Sequence, residues 1–215
     1  MVNLQELTDK QRQRYQRILD IAGNMFIEKG FSATSMAEIC QQVGGSKATL
    51  YSYFSSKEEL FEAFMLDEIE SRIKTVFSLP EQTANPDKTL YELGMRFIDL
   101  RTQQRAIAVY RLAENESRIF PQIGTIFYEN GPARSNAILT GFIDKACKEN
   151  HLDAEDPGLA AAQFLMLCQA ELTLPYHFGV RGEPSETEKA RIIQAAVDTF
   201  MARFGPKPDT DTDSP

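Results

Sequence analysis

Four copies of one short signal punctuate the chain. Thr8 with Gln11, Ser35 with Glu38, Ser56 with Glu59 and Ser185 with Glu188 each set a hydroxyl three residues ahead of a Glu or Gln. In such a box the hydroxyl accepts from the backbone N–H three residues on, and the longer side chain reaches back to the N–H of the hydroxyl residue. Two donors that a helix start leaves orphaned are thereby satisfied. Apolar residues at helical spacing follow: Ile18, Ile21, Ala22, Met25 and Phe26 after the first box, and Phe61, Phe64, Met65, Ile69, Ile73, Val76 and Phe77 after the third. No stretch alternates apolar with polar residues long enough to make a half-buried strand. The chain is expected to be all-α, with about nine or ten helices.

The first helix is expected from Thr8 to Lys29, where Gly30 stops it, the second from Ser35 to Val43 before Gly44 and Gly45, and the third from Ser46 to Phe54. A long fourth runs from Ser56 to Ser78 and ends at Leu79-Pro80. Asn85-Pro86 and Asp156-Pro157 put a capping side chain ahead of a proline at the first helical position. Further helices are placed over 86–104, 106–114, a short stretch after Pro121, 133–149, 157–178 and 185–204. The stretch 205–215 is poor in apolar residues and punctuated by proline, so disorder is expected there. The organisation read from this is a small module over 1–56, a larger one over 57–204 and a tail.

Several function classes find no support. No run approaches the about 20 apolar residues that span a bilayer, and the polar opening lacks the apolar stretch of a secretion signal, so a cytoplasmic protein without a membrane partner is expected. Cys40, Cys147 and Cys168 lie far apart with no CxxC pair, which argues against a zinc site or a disulfide framework. His151 and His177 are the two histidines, and no Glu-x-x-His pair, glycine-rich phosphate loop or nucleophile beside a base occurs. No catalytic residue, metal or cofactor is expected.

The net charge of −8 argues at first against nucleic acid, since phosphate affinity comes from Lys and Arg. Its distribution removes the objection. Residues 1–60 hold seven of the 23 basic and seven of the 31 acidic residues, so the whole excess belongs to 61–215.

Within the neutral part, two short helices joined at Gly44-Gly45 and packed on a longer one make a helix-turn-helix, whose second short helix can enter a DNA major groove. On that helix Leu50 and Phe54 form the buried side. Lys47, Ala48, Thr49, Tyr51, Ser52 and Tyr53 supply exposed or half-exposed groups suited to hydrogen bonding and to phosphate. The stretch from Gly30 to Ile39, followed by that from Gly44 through Ser46, Lys47, Ala48, Thr49, Leu50, Tyr51, Ser52, Tyr53 and Phe54 to Phe61, closely resembles the DNA-binding module of the TetR/AcrR family of bacterial transcriptional regulators. The likeness covers about residues 12–64 without a gap. The part from Arg111 through Phe120-Pro121 to Ala133 is similar to the C-terminal domain of the AefR-like branch.

The resemblance implies that Thr34 or Ser35 touches a phosphate, that Lys47, Ala48 and Thr49 approach base edges, that Tyr51 and Tyr53 hold the DNA backbone and that Lys57 grips phosphate, with Ser46 and Ser52 completing the DNA-facing set. Two positions depart from the family pattern: Gly45 stands where valine is usual and Ala48 where glycine often stands. The larger module is rich in aromatic residues, with eleven of the fourteen phenylalanines beyond residue 60. An effector pocket there is the family's expectation, with Phe97, Arg101, Tyr110, Arg111, Phe127, Phe164 and Glu171 as candidates. The last two helices are apolar on more than one side, which calls for a second partner surface. In the family that partner is a second copy, so a homodimer is expected, with Phe164, Leu167, Leu172, Ile193, Val197 and Phe200 at its interface. The implied protein is a ligand-responsive repressor that releases a palindromic operator when an unknown small molecule binds. The competing reading is a helical ligand or interaction module that has lost DNA binding.

Overall fold

The computed structural model describes residues 6–206, so the expected tail lies outside the described residues from 207 onward. Among the described residues there is no strand. The α-helices are α1 (Asp9–Lys29), α2 (Met36–Val43), α3 (Lys47–Tyr53), α4 (Lys57–Val76), α5 (Pro86–Thr102), α6 (Gln104–Glu116), α7 (Pro121–Tyr128), α8 (Arg134–Lys148), α9 (Pro157–Leu167), α10 (Thr173–His177) and α11 (Glu186–Phe204), and a π-helical turn over Glu129–Ala133 joins α7 to α8.

The boxes at Ser35 and Ser185 close in both directions, while at Thr8 the N–H and the hydroxyl both donate to Gln11 Oε1, at 2.9 and 2.8 Å. At the third the hydroxyl of Ser56 accepts from Glu59 N–H at 3.1 Å, but the Glu59 carboxylate turns one residue further back and accepts from the N–H and hydroxyl of Ser55. A pair of serines gives the carboxylate two more donors just outside the helix start. The helix expected over 157–178 is broken. α9 stops at Leu167, the chain turns over 168–172, and α10 follows with Pro175 inside its single turn, where the proline leaves the carbonyl of Glu171 without a helical N–H.

The described residues form two compact units, 6–71 with 108–131 and 72–107 with 132–206. This differs from the division at residue 56. The second half of α6 and all of α7 join the first unit because Val109, Leu112, Ala113 and Ile123 share one core with Ile18, Phe26, Ile39, Leu50, Phe61 and Phe64. In that unit α1 packs on α2 and α2 on α3. The rings of Phe26, Phe31, Phe61, Phe64 and Phe120 meet at centroid distances of 4.8 to 6.1 Å.

In the second unit α11 packs on α5 and α9, α8 on α9, and α10 on α5. A Cβ on Gly94 would come within 2.7 Å of Ile193 Cγ2, so glycine is what lets α5 approach α11. The buried ammonium of Lys189 joins the same two helices by donating to Asp99 at 2.9 Å, and it also meets Glu186 at 2.8 Å. Phe164, Leu172, Ile193, Val197 and Phe200, expected at a dimer interface, are buried inside the single chain, with Phe164 edge-on to Phe200 at 5.5 Å, and Leu167 is half-buried. Their stripes cover one another within the protomer. The large apolar side chains left exposed here are Leu159 and Met166 on α9, Leu174 on α10, and Phe178 and Val180 beyond it.

Candidate nucleic-acid interface

The short helix α3 is held by its inner side and open on the other. Leu50 and Phe54 are buried, with Phe54 at 5.0 Å from the ring of Tyr15 on α1. Ser46 caps the helix by accepting from Thr49 N–H at 3.1 Å. Gly44 ends α2 in the left-handed conformation at φ 70°, a geometry that costs a residue with a Cβ about 1 kcal/mol or more, and the chain turns there into α3. Lys47, Ala48 and Ser52 stand exposed and Tyr51 is 50% exposed, while Thr49 and Tyr53 are half-buried. The ring of Tyr53 lies edge-on to Tyr15 at 6.4 Å. One face of α3 is anchored in the core, and the other offers an ammonium, hydroxyls, a methyl and phenols, side chains suited to phosphate, base edges and thymine methyls.

The residues around α3 divide differently from the sequence expectation. Of the pair at the start of α2, Ser35 is the exposed cap, while Thr34 is 1% exposed with its hydroxyl donating to Gly30 C=O at 2.8 Å. Thr34 is thereby withdrawn from any phosphate, because its donor is used to close the α1–α2 connection. The Glu38 carboxyl is held below the usual range by its bonds to Ser35 and by Lys29 at 3.2 Å. Lys57 also faces inward. Its ammonium donates to Phe31 C=O at 2.9 Å and lies 4.3 Å from the centre of that ring.

Two side chains near the module take positions that the sequence left open, Arg14 between a solvated face and a phosphate-reaching arm and Glu116 between a solvated and a buried acid. Arg14 on α1 lays its guanidinium against Gly45, in the place a side chain there would take. Valine at 45 and Arg14 in this position exclude each other. Glu116 at the end of α6 is 8% exposed and accepts from Phe31 N–H at 2.8 Å and from Ser32 Oγ at 3.1 Å. Its signal was present: 109, 112, 113 and 116 follow the helical spacing, so Glu116 continues an apolar stripe and is carried into the core with it.

The candidate effector residues are not brought into one group. Tyr110, Arg111 and Phe127 belong to the first unit, where Tyr110 meets Phe127 at 5.8 Å. Arg111 borders a groove of about 420 Å³ with Ile27, Lys29, Gly30, Ala108, Leu112, Asn115 and Glu116. Phe97, Arg101, Phe164 and Glu171 belong to the second unit. Phe97 packs edge-on against Phe77 at 6.2 Å, and Arg101 is half-buried. Phe164 is fully buried in the α9–α11 core, and Glu171 lies exposed and ion-paired with Arg191. Core packing and solvent remove those last two from a pocket lining. Among the described residues no group of His, Cys, Asp and Glu has a metal-holding arrangement, and no helix is long and apolar enough to cross a membrane.

Residues 18–64 match the model of the bacterial regulatory proteins of the tetR family, and residues 88–206 match that of the C-terminal domain of AefR-like transcriptional repressors. The chain belongs to the TetR family. Among the solved structures it is similar to the flavonoid-responsive regulator FrrA, with 33% identity and a TM-score of 0.81 over 92% of this chain and 100% of that one. A second likeness is to Salmonella enterica GusR, at 25% identity and a TM-score of 0.66 over 92% of this chain and 97% of that one. Among characterised proteins it is 27% identical over 186 residues to the HTH-type transcriptional regulator UidR of Escherichia coli K12, covering 81% of this chain and 83% of that protein. As a TetR-family member the protein is a DNA-binding regulator of transcription with a ligand-responsive C-terminal part. The reading in which DNA binding has been lost is not favoured, since both parts of the family architecture are present.

Proposed function

We propose that the protein is a cytoplasmic repressor that holds a palindromic operator as a homodimer and releases it when a small molecule binds. The observation that carries this reading is α3, anchored by Leu50 and Phe54 while Lys47, Ala48, Tyr51 and Ser52 face outward beside the half-buried Thr49 and Tyr53. In this reading Lys47, Ala48 and Thr49 meet base edges, Tyr51 and Tyr53 meet the DNA backbone, and Ser35, Ser46 and Ser52 complete the contact. The exposed apolar side chains Leu159 and Met166 of α9, Leu174 of α10, and Phe178 and Val180 just beyond it support a second copy as the partner, because large apolar side chains repeated along one segment are costly to leave in water. The effector is assigned to the helices of the second unit, with Phe97 and Arg101 of α5 as contacts. FrrA is by name flavonoid-responsive, so flavonoids are the first effectors to test.

The test is titration of the purified protein onto the DNA upstream of its own gene at two salt concentrations. Sequence-preferring binding whose affinity falls steeply with salt is expected, and a flavonoid that weakens it would identify the effector class. Lys47→Ala should lower the slope of log K against log salt by about one. Binding without sequence preference or salt dependence would overturn the reading.

A further inference from the structure

Two helices have residues in both compact units: α4 passes from the first into the second after Ser71, and α6 passes from the second into the first at Ala108. Both end their polar reach on one residue. Glu116, the last of α6, accepts from Phe31 N–H at 2.8 Å, and Lys57, the first of α4, donates to Phe31 C=O at 2.9 Å. The Phe31 ring is enclosed by Phe61 at 4.8 Å and Phe120 at 5.0 Å, with the Lys57 ammonium over its face. Gly30 lies so near that a Cβ there would come within 2.8 Å of Glu116 Oε1. Ser32 adds a second donor to the same carboxylate at 3.1 Å.

Phe31 stands four residues before Ser35, the cap of α2. The connection between α1 and α2 is thus held at its N–H from α6, at its C=O from α4 and at its ring from both sides. We infer that Glu116 and Lys57 are positioning residues for DNA recognition, which clamp Phe31 from α6 and α4 and hold the helix-turn-helix in its DNA-competent setting. This rests on the repressor reading. Hydrogen bonds to charged groups are the strong ones in a low-dielectric interior, and removal of the carboxylate leaves the Phe31 N–H without its protein acceptor. Loss of either partner lets the connection sample other settings, and the measured affinity falls with the fraction of molecules that remain competent. Lys57 on this view works through the protein and not on a phosphate, which separates it from Lys47.

The experiment measures binding of the full-length protein and of the variants Lys57→Met, Glu116→Ala and Ser32→Ala to the upstream DNA across a salt series. Lys57→Met and Glu116→Ala are expected to weaken binding about tenfold, and Ser32→Ala about threefold, each with an unchanged slope of log K against log salt and an unchanged oligomeric state. Ser32 is exposed, so its variant folds and carries the test if Glu116→Ala does not. A slope reduced by about one for Lys57→Met would make Lys57 a phosphate contact and overturn the inference. Wild-type affinity in Glu116→Ala or Ser32→Ala would overturn it equally. Failure of the unaltered protein to prefer that DNA is a different result, which removes the repressor reading itself.

Discussion

Gly44 and Gly45 are adjacent and differ in what a side chain would meet. Gly44 sits at φ 70° with nothing within 4 Å of the place a Cβ would take, so Gly44→Ala is a test of backbone strain alone and should cost about 1 kcal/mol in urea unfolding. Gly45 is not among the glycines with positive φ, and what a side chain there meets is the flexible end of Arg14. Gly45→Val should therefore leave stability within about 0.5 kcal/mol of wild type while displacing the guanidinium, which a crystal structure of the variant would show. Gly23 is a third case. It lies buried on α1 where a Cβ would run into the ring of Phe64, a core side chain with nowhere to go, so Gly23→Ala should destabilise the protein by about 1–3 kcal/mol. A glycine in a sequence shows that a side chain is dispensable. Which neighbour made it so is visible in the folded chain alone.

At the scale of elements, helix starts were legible because a cap and its acid lie within one turn of each other. The box at Ser185 and Glu188 makes this measurable. The bonds from Ser185 N–H and Arg181 hold the Glu188 carboxyl down to about 2 from its ordinary 4.5. A carboxyl with a lowered folded value stabilises the protein above its unfolded value, and that contribution is lost as pH falls through the folded value. Glu188→Gln should thus lower the urea midpoint at pH 7, and the difference from wild type should close as pH falls from 4.5 toward 2. A gap that persisted at the acid end would show that the carboxylate's charge is not what holds the start of α11. Helix ends were less legible. The end of α9 at Leu167 is concealed by apolar spacing that continues on both sides of it, and α6 runs two residues beyond its expected end because its last stripe position is the acid Glu116.

For the whole molecule, burial within one protomer decides where a partner can sit. Apart from the half-buried Leu167, the side chains expected at the dimer interface are buried within the single chain, so the homodimer proposed above is better served by exposed residues such as Met166 and Leu174, 66% and 65% exposed. On the homodimer reading proposed above, Met166→Glu combined with Leu174→Glu should leave helicity intact, give a monomer in light scattering, and weaken operator binding more than tenfold through loss of the second half-site, by about the gain that joining two binding modules supplies. A dimer that survived would place the interface elsewhere. The sequence by itself determined the all-α class, the starts of most helices, the polar outer face of α3 and the family, since these depend on spacing and hydrogen bonds among residues a few positions apart. Tertiary structure decided that α6 and α7 complete the core of the DNA-binding unit, that Ser35 and not Thr34 faces outward, that Phe164 and Phe200 meet each other, and that Glu116 closes on Phe31. The last of these joins residues 85 positions apart, and no local propensity encodes which of many apolar stripes and buried donors will meet once water is excluded between them.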